Sequence, residues 1–273
     1  MKPHTVLITG ASSGIGKDAA QRLAGLGHTV YAAARRVEMM EDLKESGCRP
    51  LKMDITREED VRAVVETICG NHGGVDVLIN NAGYGLYGAM EDIPPDDARY
   101  QFDVNLFGLA RLTQLALPHM REKGFGRIIN VSSMGGKIYT PLGSWYHATK
   151  HALEGWSDCL RLEVQPFGID VSIIEPGAID TEFGDVMTEP MLRHSGDTAY
   201  GDFTKIYVEV VEKNYQPGAG SPPSVISDLI VKAIESRRPK IRYVAGKYAR
   251  PMMFIRKWLG DRIYDRLVMS MVR

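Results

Sequence analysis

The sequence predicts an α/β fold, a single domain in which helices cover both faces of a doubly wound parallel sheet. Short runs of β-branched and apolar residues alternate along the chain with longer stretches of helical periodicity. Each short run is continuously apolar, as strands are when helices bury both faces of a parallel sheet. No repeat or linker divides the sequence, so residues 1–273 are interpreted as one domain.

The elements follow from these patterns in chain order. The predicted strands are residues 5–9, 28–33, 51–54, 75–80, 127–131 and 170–174. The predicted helices are residues 15–26, 58–69 and 144–164, and Gly27 stops the first of them. Ligands of such a sheet bind outside the carboxyl ends of its strands, so the residues that follow strands are the first candidates for a site.

Composition excludes several classes of protein. Hydrophobic residues make up 44% and charged residues 25% of the chain, which is ordinary for a globular protein. With 33 basic and 34 acidic residues, the total charge does not favour a nucleic-acid partner. No apolar run approaches the ~18–20 residues of a membrane span, and no signal peptide precedes the first strand. Three widely spaced cysteines, Cys48, Cys69 and Cys159, predict neither a metal site nor disulfides and fit a cytoplasmic location.

The C-terminal segment 240–273 is basic, with nine Lys/Arg and two Asp/Glu, whereas the rest of the chain carries 24 basic and 32 acidic residues. One amphipathic helix is suggested there by apolar residues at helical spacing, which are Met252, Ile255, Leu259, Ile263 and Leu267. Packing on the protein's own body, where the helix would shape the pocket, is the simplest role for it. Weak docking on a membrane surface is the alternative.

A glycine-rich turn with the sequence TGASSGIG, residues 9–16, joins the first strand to the first helix. Such a turn lets the backbone approach a pyrophosphate closely, and the N-terminus of the helix offers N–H groups and a positive dipole end. The candidate phosphate-binding residues are Gly10, Ser12, Ser13, Gly14, Ile15 and Gly16. The glycine spacing is neither G-x-G-x-x-G nor a P-loop. An ordinary strand-to-helix turn is the alternative.

The turn and the motifs after it resemble the classical short-chain dehydrogenases/reductases. TGxxxGxG follows the first strand, NNAG spans residues 80–83, and a YxxxK element joins Tyr146 to Lys150. The match runs in order from residue 5 to about residue 182. It implies a Rossmann fold that binds a nicotinamide dinucleotide. The further positions that it assigns to the cofactor are Asn81, Ala82, Gly83, Tyr146, Lys150, Pro176, Gly177, Ile179 and Thr181.

The chemistry of the predicted site centres on Tyr146 and Lys150, which are one helical turn apart and can act on the same atom. A free tyrosine has a pKa near ~10. The Lys150 ammonium, with an oxidised nicotinamide beside it, would lower that pKa, so Tyr146 is the candidate general acid and base. Ser133 would hold the substrate oxygen. The resemblance implies that Asn105 holds a water that connects Lys150 to solvent.

The second strand is followed by Arg35 and Arg36, and Ala34 occupies the position where the resemblance places the Asp of NAD-dependent members. A carboxylate there binds the ribose 2′-hydroxyl, whereas a guanidinium accepts a 2′-phosphate. We therefore expect NADP(H), with Arg35 as the main phosphate ligand and NAD as the alternative. The alternative is that both arginines are simply solvated charges after the strand. Asp54 and Ile55, after the third strand, are expected to contact the adenine.

Residues 183–215 are expected to form a lid over the active site. The lid is apolar because it contains Phe183, Val186, Met187, Met191 and Leu192. The resemblance is nearest to hydroxysteroid and retinol dehydrogenase-like reductases, which implies a bulky apolar carbonyl or secondary alcohol held by Ser133 and Tyr146. The predicted function is NADP(H)-dependent hydride transfer to or from that substrate. A redox sensor that binds NADP without chemistry and a nucleotide-sugar epimerase or dehydratase are the alternatives.

The helix predicted over 144–164 has a second face that suits a subunit contact. This face consists of Trp145, Ala148, Ala152 and Trp156. The resemblance implies a homodimer or a homotetramer that assembles through it. His147 and His151 are expected to lie in solvent or in that interface, and Asp158 and Glu163 are expected to be solvated charges.

Overall fold

Seven strands and eleven α-helices make up most of the computed structural model, which describes residues 2–216 and 218–272. The strands are β1 (Thr5–Thr9), β2 (Thr29–Ala34), β3 (Arg49–Lys52), β4 (Val77–Asn80), β5 (Gly126–Val131), β6 (Ile169–Pro176) and β7 (Arg242–Ala245). They form one sheet in the order β3-β2-β1-β4-β5-β6-β7. Every neighbouring pair is parallel. This topology confirms the predicted doubly wound sheet.

The helices connect successive strands and cover both faces of the sheet. They are α1 (Gly14–Gly25), α2 (Glu41–Glu45), α3 (Glu58–His72), α4 (Pro95–Phe102), α5 (Gly108–Lys123), α6 (Ser144–Val164), α7 (Phe183–Ser195), α8 (Gly201–Tyr215), α9 (Ser224–Glu235), α10 (Ala249–Trp258) and α11 (Asp261–Ser270). Short 3-10 helices span Val37–Met40, Met134–Gly136 and Gln165–Phe167, and a π-helical turn spans Asp103–Phe107.

Two apolar cores lie on opposite faces of the sheet, and successive residues of a strand enter them alternately. Val6 and Ile8 of β1 pack into the core that α1 and α9 complete, whereas Leu7 packs into the core beneath α3 and α5. All three side chains are fully buried, and each such burial contributes about 1.5–3 kcal/mol. Burial on both faces explains why the strand sequences are continuously apolar.

The six predicted strands and the helices predicted over residues 15–26, 58–69 and 144–164 are all present, and α6 has both of its predicted ends. Most other observed boundaries differ from the predicted ones by one to three residues. The predicted strand 51–54 lies earlier, at Arg49–Lys52, so that Asp54 lies beyond the strand. The sequence-based prediction missed β7, whose four residues pair with the end of β6. It is too short to show a periodicity of its own, and its partner strand is distant in the chain.

The predicted single C-terminal helix is wrong, because Gly260 divides it. Gly260 has a φ of +79°, a left-handed conformation that favours glycine, and α10 ends before it. The side chains of Tyr264 and Val268 from α11 are buried against Ile138, and the Tyr264 hydroxyl donates a hydrogen bond of 2.9 Å to the Tyr139 carbonyl. The segment therefore packs on the protein's own body, as the simplest interpretation expects. Its last residue, Arg273, lies outside the described residues.

The strand order reverses between β1 and β4, because the chain builds one half of the sheet outward from β1 and the other half outward from β4. A crevice opens at such a switch point, outside the carboxyl ends of the strands. The glycine-rich turn follows β1 and residues 81–83 follow β4, so both border the crevice. Across residues 2–216 and 218–272, no helix has the length and apolar character that crossing a bilayer would require.

Candidate active site

The glycine-rich turn packs directly against the segment that follows β4. Gly10 has a φ of +66°, and a Cβ on it would lie 2.8 Å from the Cα of Ala82. The Thr9 hydroxyl accepts hydrogen bonds from the backbone N–H groups of Asn81 and Ala82, at 3.1 and 2.9 Å. The Asn81 side-chain amide donates to the carbonyls of Thr9 and Gly10, at 3.0 and 3.1 Å. The NNAG element therefore fixes the shape of the turn.

Helix α1 begins at Gly14 with its N-terminus directed at a large cavity, which Ser12, Ser13 and Ile15 also line. Ser13, the residue that precedes the helix, makes no side-chain capping hydrogen bond. The first turn carries no acidic residue. The first N–H groups of α1 are therefore available to an anion. Gly16 does not line the cavity and instead packs against the turn, where a Cβ on it would collide with the Gly10 carbonyl.

Arg35 and Arg36 border the same cavity at the end of β2. The Arg35 guanidinium donates a hydrogen bond of 3.1 Å to the Tyr100 hydroxyl, and Arg36 reaches the Ser12 hydroxyl at 3.5 Å. Both arginines are exposed, so an incoming anion can reach them without displacing a buried partner. The position before them, Ala34, is buried and adds no carboxylate.

Asp54 and Ile55 lie at the same end of the cavity. One Asp54 carboxylate oxygen accepts hydrogen bonds from the backbone N–H and the hydroxyl of Thr56, at 3.0 and 2.7 Å. The Asp54 backbone N–H donates to Asp60 at 2.8 Å. These bonds form a fixed Asx-type turn, which leaves one oxygen of Asp54 to face a ligand.

Tyr146, Lys150 and Ser133 converge on the opposite end of the cavity. Tyr146 and Lys150 are almost fully buried in α6, and the Lys150 Nζ lies 5.9 Å from the centre of the Tyr146 ring. Lys150 donates a hydrogen bond of 3.0 Å to the Val131 carbonyl at the end of β5. The Ser133 hydroxyl accepts from the Gly135 N–H at 3.0 Å, which places Ser133 at the start of a 3-10 helix.

Burial controls the protonation of this pair in the protein alone. It raises the pKa of Tyr146 to about 12, although the neighbouring Ser133 hydroxyl acts in the opposite direction. Burial also lowers the pKa of Lys150 to about 8, while the negative charge of Glu154 raises it. The expected lowering of the Tyr146 pKa is therefore not produced by the protein alone.

Asn105 lies behind the cavity wall instead of lining it. Its side chain spans the backbone of Tyr84, donating to the carbonyl at 2.9 Å and accepting from the N–H at 3.1 Å. It also donates to the Thr149 hydroxyl at 3.1 Å. A Cβ on Gly83 would lie 3.1 Å from the Asn105 amide oxygen and 3.7 Å from the Lys150 Nζ. Asn105 is therefore next to Lys150, and its role through a water stays a prediction.

His147 is buried and lines the cavity, which corrects the expectation of solvent or an interface. Its Nδ1 lies 2.9 Å from the Gly135 carbonyl, and its Nε2 accepts from the Thr140 N–H at 3.0 Å. Burial lowers the pKa of His147 to about 4, so the ring is neutral. The helix periodicity placed His147 off the Tyr146 face, but the loop after Ser133 folds over that second face. His151 is exposed, as expected.

A buried charge cluster lies one turn beyond Lys150 on α6. Glu154 accepts hydrogen bonds from Arg242 at 3.0 Å and pairs with Lys137 at 2.8 Å. Asp158, predicted to be a solvated charge, instead accepts from Arg242 at 2.7 Å, and this contact lowers its pKa. Burial beside Glu154 raises the pKa of Glu175 on β6. No sequence pattern predicted this cluster, because Arg242 comes from the unpredicted strand β7.

The remaining part of the cavity is apolar, and α7, α8, α10 and α11 supply its walls. The cavity measures about 960 Å³ in total. The apolar walls include Phe183, Val186, Met187, Tyr207, Val211, Tyr215, Met252, Val268 and Met271. Two residues predicted for the lid do not line it, because Met191 is buried in the core and Leu192 is exposed. Among the lining residues, Tyr207 and Tyr215 lie on α8, whereas Tyr87 comes from the loop after β4, more than a hundred residues earlier in the chain.

Of the other predicted positions, Gly83, Pro176, Gly177, Ile179 and Thr181 all line the same cavity. A Cβ on Gly14 would lie 3.1 Å from the Thr181 methyl group, so the absence of a side chain on Gly14 leaves space in the cavity beside Thr181. The structure thus brings nearly all of the predicted site residues to one continuous cavity. Only Gly16 and Asn105 stand behind its wall.

Comparisons with known proteins agree with this architecture. Residues 4–191 match the family model of the short chain dehydrogenases. The chain is 36% identical over 264 residues to a 3-ketodihydrosphingosine reductase of Bacteroides thetaiotaomicron, covering 96% of each chain. The structure of a short-chain dehydrogenase from Streptomyces avermitilis is 34% identical, with a TM-score of 0.80 over 98% of this chain and 96% of that chain.

A second solved structure, a serine dehydrogenase complexed with NADP+, is 27% identical and has a TM-score of 0.77 over 89% of this chain and 94% of that chain. The family model covers more than half of the chain, and the Bacteroides relative matches almost all of it. The chain belongs to the short-chain dehydrogenase/reductase family of oxidoreductases.

Proposed function

We propose that the protein is an NADP(H)-dependent oxidoreductase that interconverts a carbonyl and a secondary alcohol, with Tyr146 as general acid and base. One observation carries this proposal. Tyr146, Lys150 and Ser133 meet at one end of a continuous cavity, and the glycine-rich turn with Arg35 and Arg36 forms its other end. A dinucleotide has the same two ends, a nicotinamide that exchanges hydride and a phosphorylated adenosine.

The residues present fit such a cofactor. The uncapped start of α1 and the turn at Gly10 would hold the pyrophosphate. Arg35 and Arg36 would hold the 2′-phosphate of NADP, and Ala34 adds no carboxylate to repel it. The similar serine dehydrogenase is described in complex with NADP+, which supports NADP over NAD.

The residues around Tyr146 would transfer the proton and bind the substrate oxygen. The bound nicotinamide supplies or accepts the hydride and, when oxidised, brings a positive charge to the site. In the reducing direction, the Tyr146 hydroxyl gives its proton to the carbonyl oxygen while the substrate carbon gains the hydride. The Ser133 hydroxyl donates a hydrogen bond to that oxygen as negative charge develops. Lys150, held by the Val131 carbonyl, stabilises the resulting phenolate.

The apolar walls support a bulky apolar substrate, such as a steroid-like or retinoid-like carbonyl or alcohol. Methionine side chains in the wall adapt to irregular shapes, and Met187, Met252 and Met271 are among them. The Bacteroides relative is a 3-ketodihydrosphingosine reductase, which supports reduction of a ketone. We also propose a cytoplasmic homodimer or homotetramer that assembles through the exposed face of α6.

Purified protein and NADPH, offered a panel of ketones and aldehydes of increasing apolar length, test the function through the loss of reduced-nicotinamide absorbance. Tyr146→Phe should lower kcat by at least ~100-fold, within the usual contribution of general acid–base catalysis, and should leave NADPH binding unchanged. If the Tyr146→Phe enzyme kept its full reductase activity, the alternative of a cofactor sensor without chemistry would replace this proposal.

A further inference from the structure

The segment of α10, α11 and the turn between them exposes four large apolar side chains within ten residues. Phe254 is 58% exposed, Trp258 65%, Leu259 49% and Ile263 46%. The Phe254 and Trp258 rings are neighbours, with centroids 6.5 Å apart, and the turn at Gly260 places Ile263 after them. We name these four residues the C-terminal ridge. Large exposed apolar side chains grouped on one segment, two of them with neighbouring rings, indicate a surface that contacts a partner molecule or a membrane.

Basic residues surround the C-terminal ridge. The Lys257 ammonium lies 5.0 Å from the centre of the Trp258 ring, and Arg250, Arg262 and Arg266 are exposed on the same two helices. The acidic residues of the segment are engaged within the protein. Asp261 pairs with Arg256, and Asp265 accepts a hydrogen bond of 2.8 Å from the Tyr139 hydroxyl. The ridge therefore presents apolar and positive groups together.

The combination of apolar and positive groups favours one of the two partners that could cover the ridge, a second copy of the chain or a lipid surface. A symmetric contact between two copies would bring the same basic patch against itself, which like charges oppose. An anionic lipid surface would accept both features, because apolar and aromatic side chains enter the interface while Lys and Arg meet the headgroups. The acidic remainder of the chain would orient the protein with this patch toward the lipid.

The ridge also adjoins the substrate end of the cavity. Met252, two residues before Phe254, lines the cavity, as do Val268 and Met271 of the same C-terminal segment. The inward side of the two helices therefore walls the site, while their outward side carries the ridge. A bilayer seated on the ridge would stand next to the apolar half of the cavity.

We propose that the C-terminal ridge docks the protein on an anionic bilayer and that its substrate is an amphiphilic carbonyl or alcohol taken from that bilayer. The substrate part rests on the proposed function, whereas the docking part does not. Docking of this kind is reversible and depends on salt, because it joins a small apolar insertion to screened charge attraction.

Flotation of the full chain with two kinds of vesicle tests the docking. One kind contains phosphatidylcholine alone, and the other contains equal parts of phosphatidylcholine and phosphatidylglycerol. The double variant Trp258→Ser/Arg262→Gln removes one aromatic and one charge from the ridge surface. Its matched control is Phe167→Ser/Arg121→Gln, because Arg121 lies 5.8 Å from the exposed Phe167 ring at the opposite end of the sheet.

We expect the parent chain and the control variant to bind only the anionic vesicles and to be released by salt. The ridge variant should bind at least ~10-fold more weakly, since each basic residue near such a surface contributes about fivefold. The proposal is overturned if the parent chain binds neither vesicle, if the control loses binding equally, or if the ridge variant changes the molecular mass in solution, which would make the ridge a subunit interface.

Turnover separates this proposal from the proposed function. A short water-soluble ketone with NADPH measures the basal reaction without vesicles, and the ridge variant should retain it. An amphiphilic ketone embedded in anionic vesicles should then be reduced at least ~10-fold more slowly by the ridge variant than by the control. Vesicle binding without reduction of either ketone would refute the enzyme function and leave the docking intact. Equal rates for both variants on the embedded ketone would refute the substrate source.

Discussion

Arg35 is the residue that most directly tests the cofactor. Its guanidinium borders the cavity and is steadied by the Tyr100 hydroxyl at 3.1 Å. Arg35→Asp should lower kcat/KM with NADPH by about 10–100-fold, because a hydrogen bond to a charged group is worth about 1.5–3 kcal/mol. The kcat/KM of the variant with NADH should be unchanged or higher, since a carboxylate at position 35 can bind a ribose 2′-hydroxyl.

The same substitution at Arg121, an exposed residue far from the cavity, provides the control and should change neither value. A parent enzyme that prefers NADH, or an Arg35→Asp variant with undiminished use of NADPH, would contradict the assignment of the phosphate site.

His147 should make the folded protein sensitive to acid. Its pKa is lowered from an ordinary value of 6.5 to about 4, so between these values the unfolded chain binds a proton that the folded chain does not. Stability therefore rises with pH across this window and is lost as pH falls through it. The difference corresponds to about 3 kcal/mol. Urea unfolding at pH 4.5 and 7 should show a smaller loss of stability at low pH for His147→Gln.

His151→Gln serves as the control, because His151 lies on the same helix and is exposed. It should keep the pH slope of the parent protein. If His147→Gln kept that slope too, burial of a neutral His147 would not be the cause of acid sensitivity.

At the scale of elements, the charge cluster joins α6, β6 and β7. Arg242 of β7 contacts Glu154 and Asp158 of α6 and lies 3.5 Å from Glu175 of β6. The pKa of Glu175 is raised, so its neutral form fits the folded state. The contribution of neutral Glu175 to the free energy of unfolding is present at low pH and is lost as pH rises above the ordinary pKa of a glutamate. A neutral amide should remove this loss.

Glu175→Gln should therefore increase the free energy of unfolding at pH 8 by more than about 1.4 kcal/mol, the equivalent of one pKa unit. The gain should shrink at pH 5, where Glu175 is protonated in the folded chain. Chemical unfolding at the two pH values measures this, with the exposed Glu163→Gln as the control on α6. A destabilised variant at pH 8 would mean that Glu175 is held as a carboxylate by Arg242.

Elements whose sequences carry their own periodicity were predictable. Helix α6 has its predicted ends because 21 residues repeat an apolar pattern before the chain turns at Gln165. Strand β7 and the break at Gly260 were not predictable, because four residues show no period and one glycine inside a helical pattern is often tolerated. The burial of His147 was missed for a related reason, since a distant loop and not its own helix covers it.

At the scale of the whole molecule, α6 has an exposed outer face that includes Ala148, Gly155 and Leu162. Trp145 and Trp156 of the predicted face are half-buried, so they belong partly to the body. Leu162 is 60% exposed, and Leu162→Glu would place a charge in any contact made by this face. We expect a lower molecular mass by light scattering than for the parent chain.

Leu26→Glu, an equally drastic change at an exposed position after α1, should leave the mass of the parent unchanged. Assembly through α6 would be contradicted if light scattering gave the mass of a single subunit for the parent chain, or the mass of the parent assembly for the Leu162→Glu variant.

The two halves of the cavity differ in how far the sequence determines them. The cofactor half follows from motifs that lie directly after strands, since the sheet brings strand ends together whatever the loops do. The substrate half is built from α7, α8, α10 and α11, whose relative placement depends on tertiary packing. Tyr87 meets Tyr207 and Tyr215 of α8 there from a distant part of the chain, which explains why sequence could predict an apolar lid but not its walls.

The late position of Val268 and Met271 in the chain has a consequence for biosynthesis. A nascent chain that has emerged through Thr181 already carries the glycine-rich turn, the arginines and Tyr146, whereas the wall made by Val268 and Met271 emerges only after α8, α9 and β7. During synthesis, the residues of the dinucleotide site are therefore complete before the apolar wall of the substrate site is.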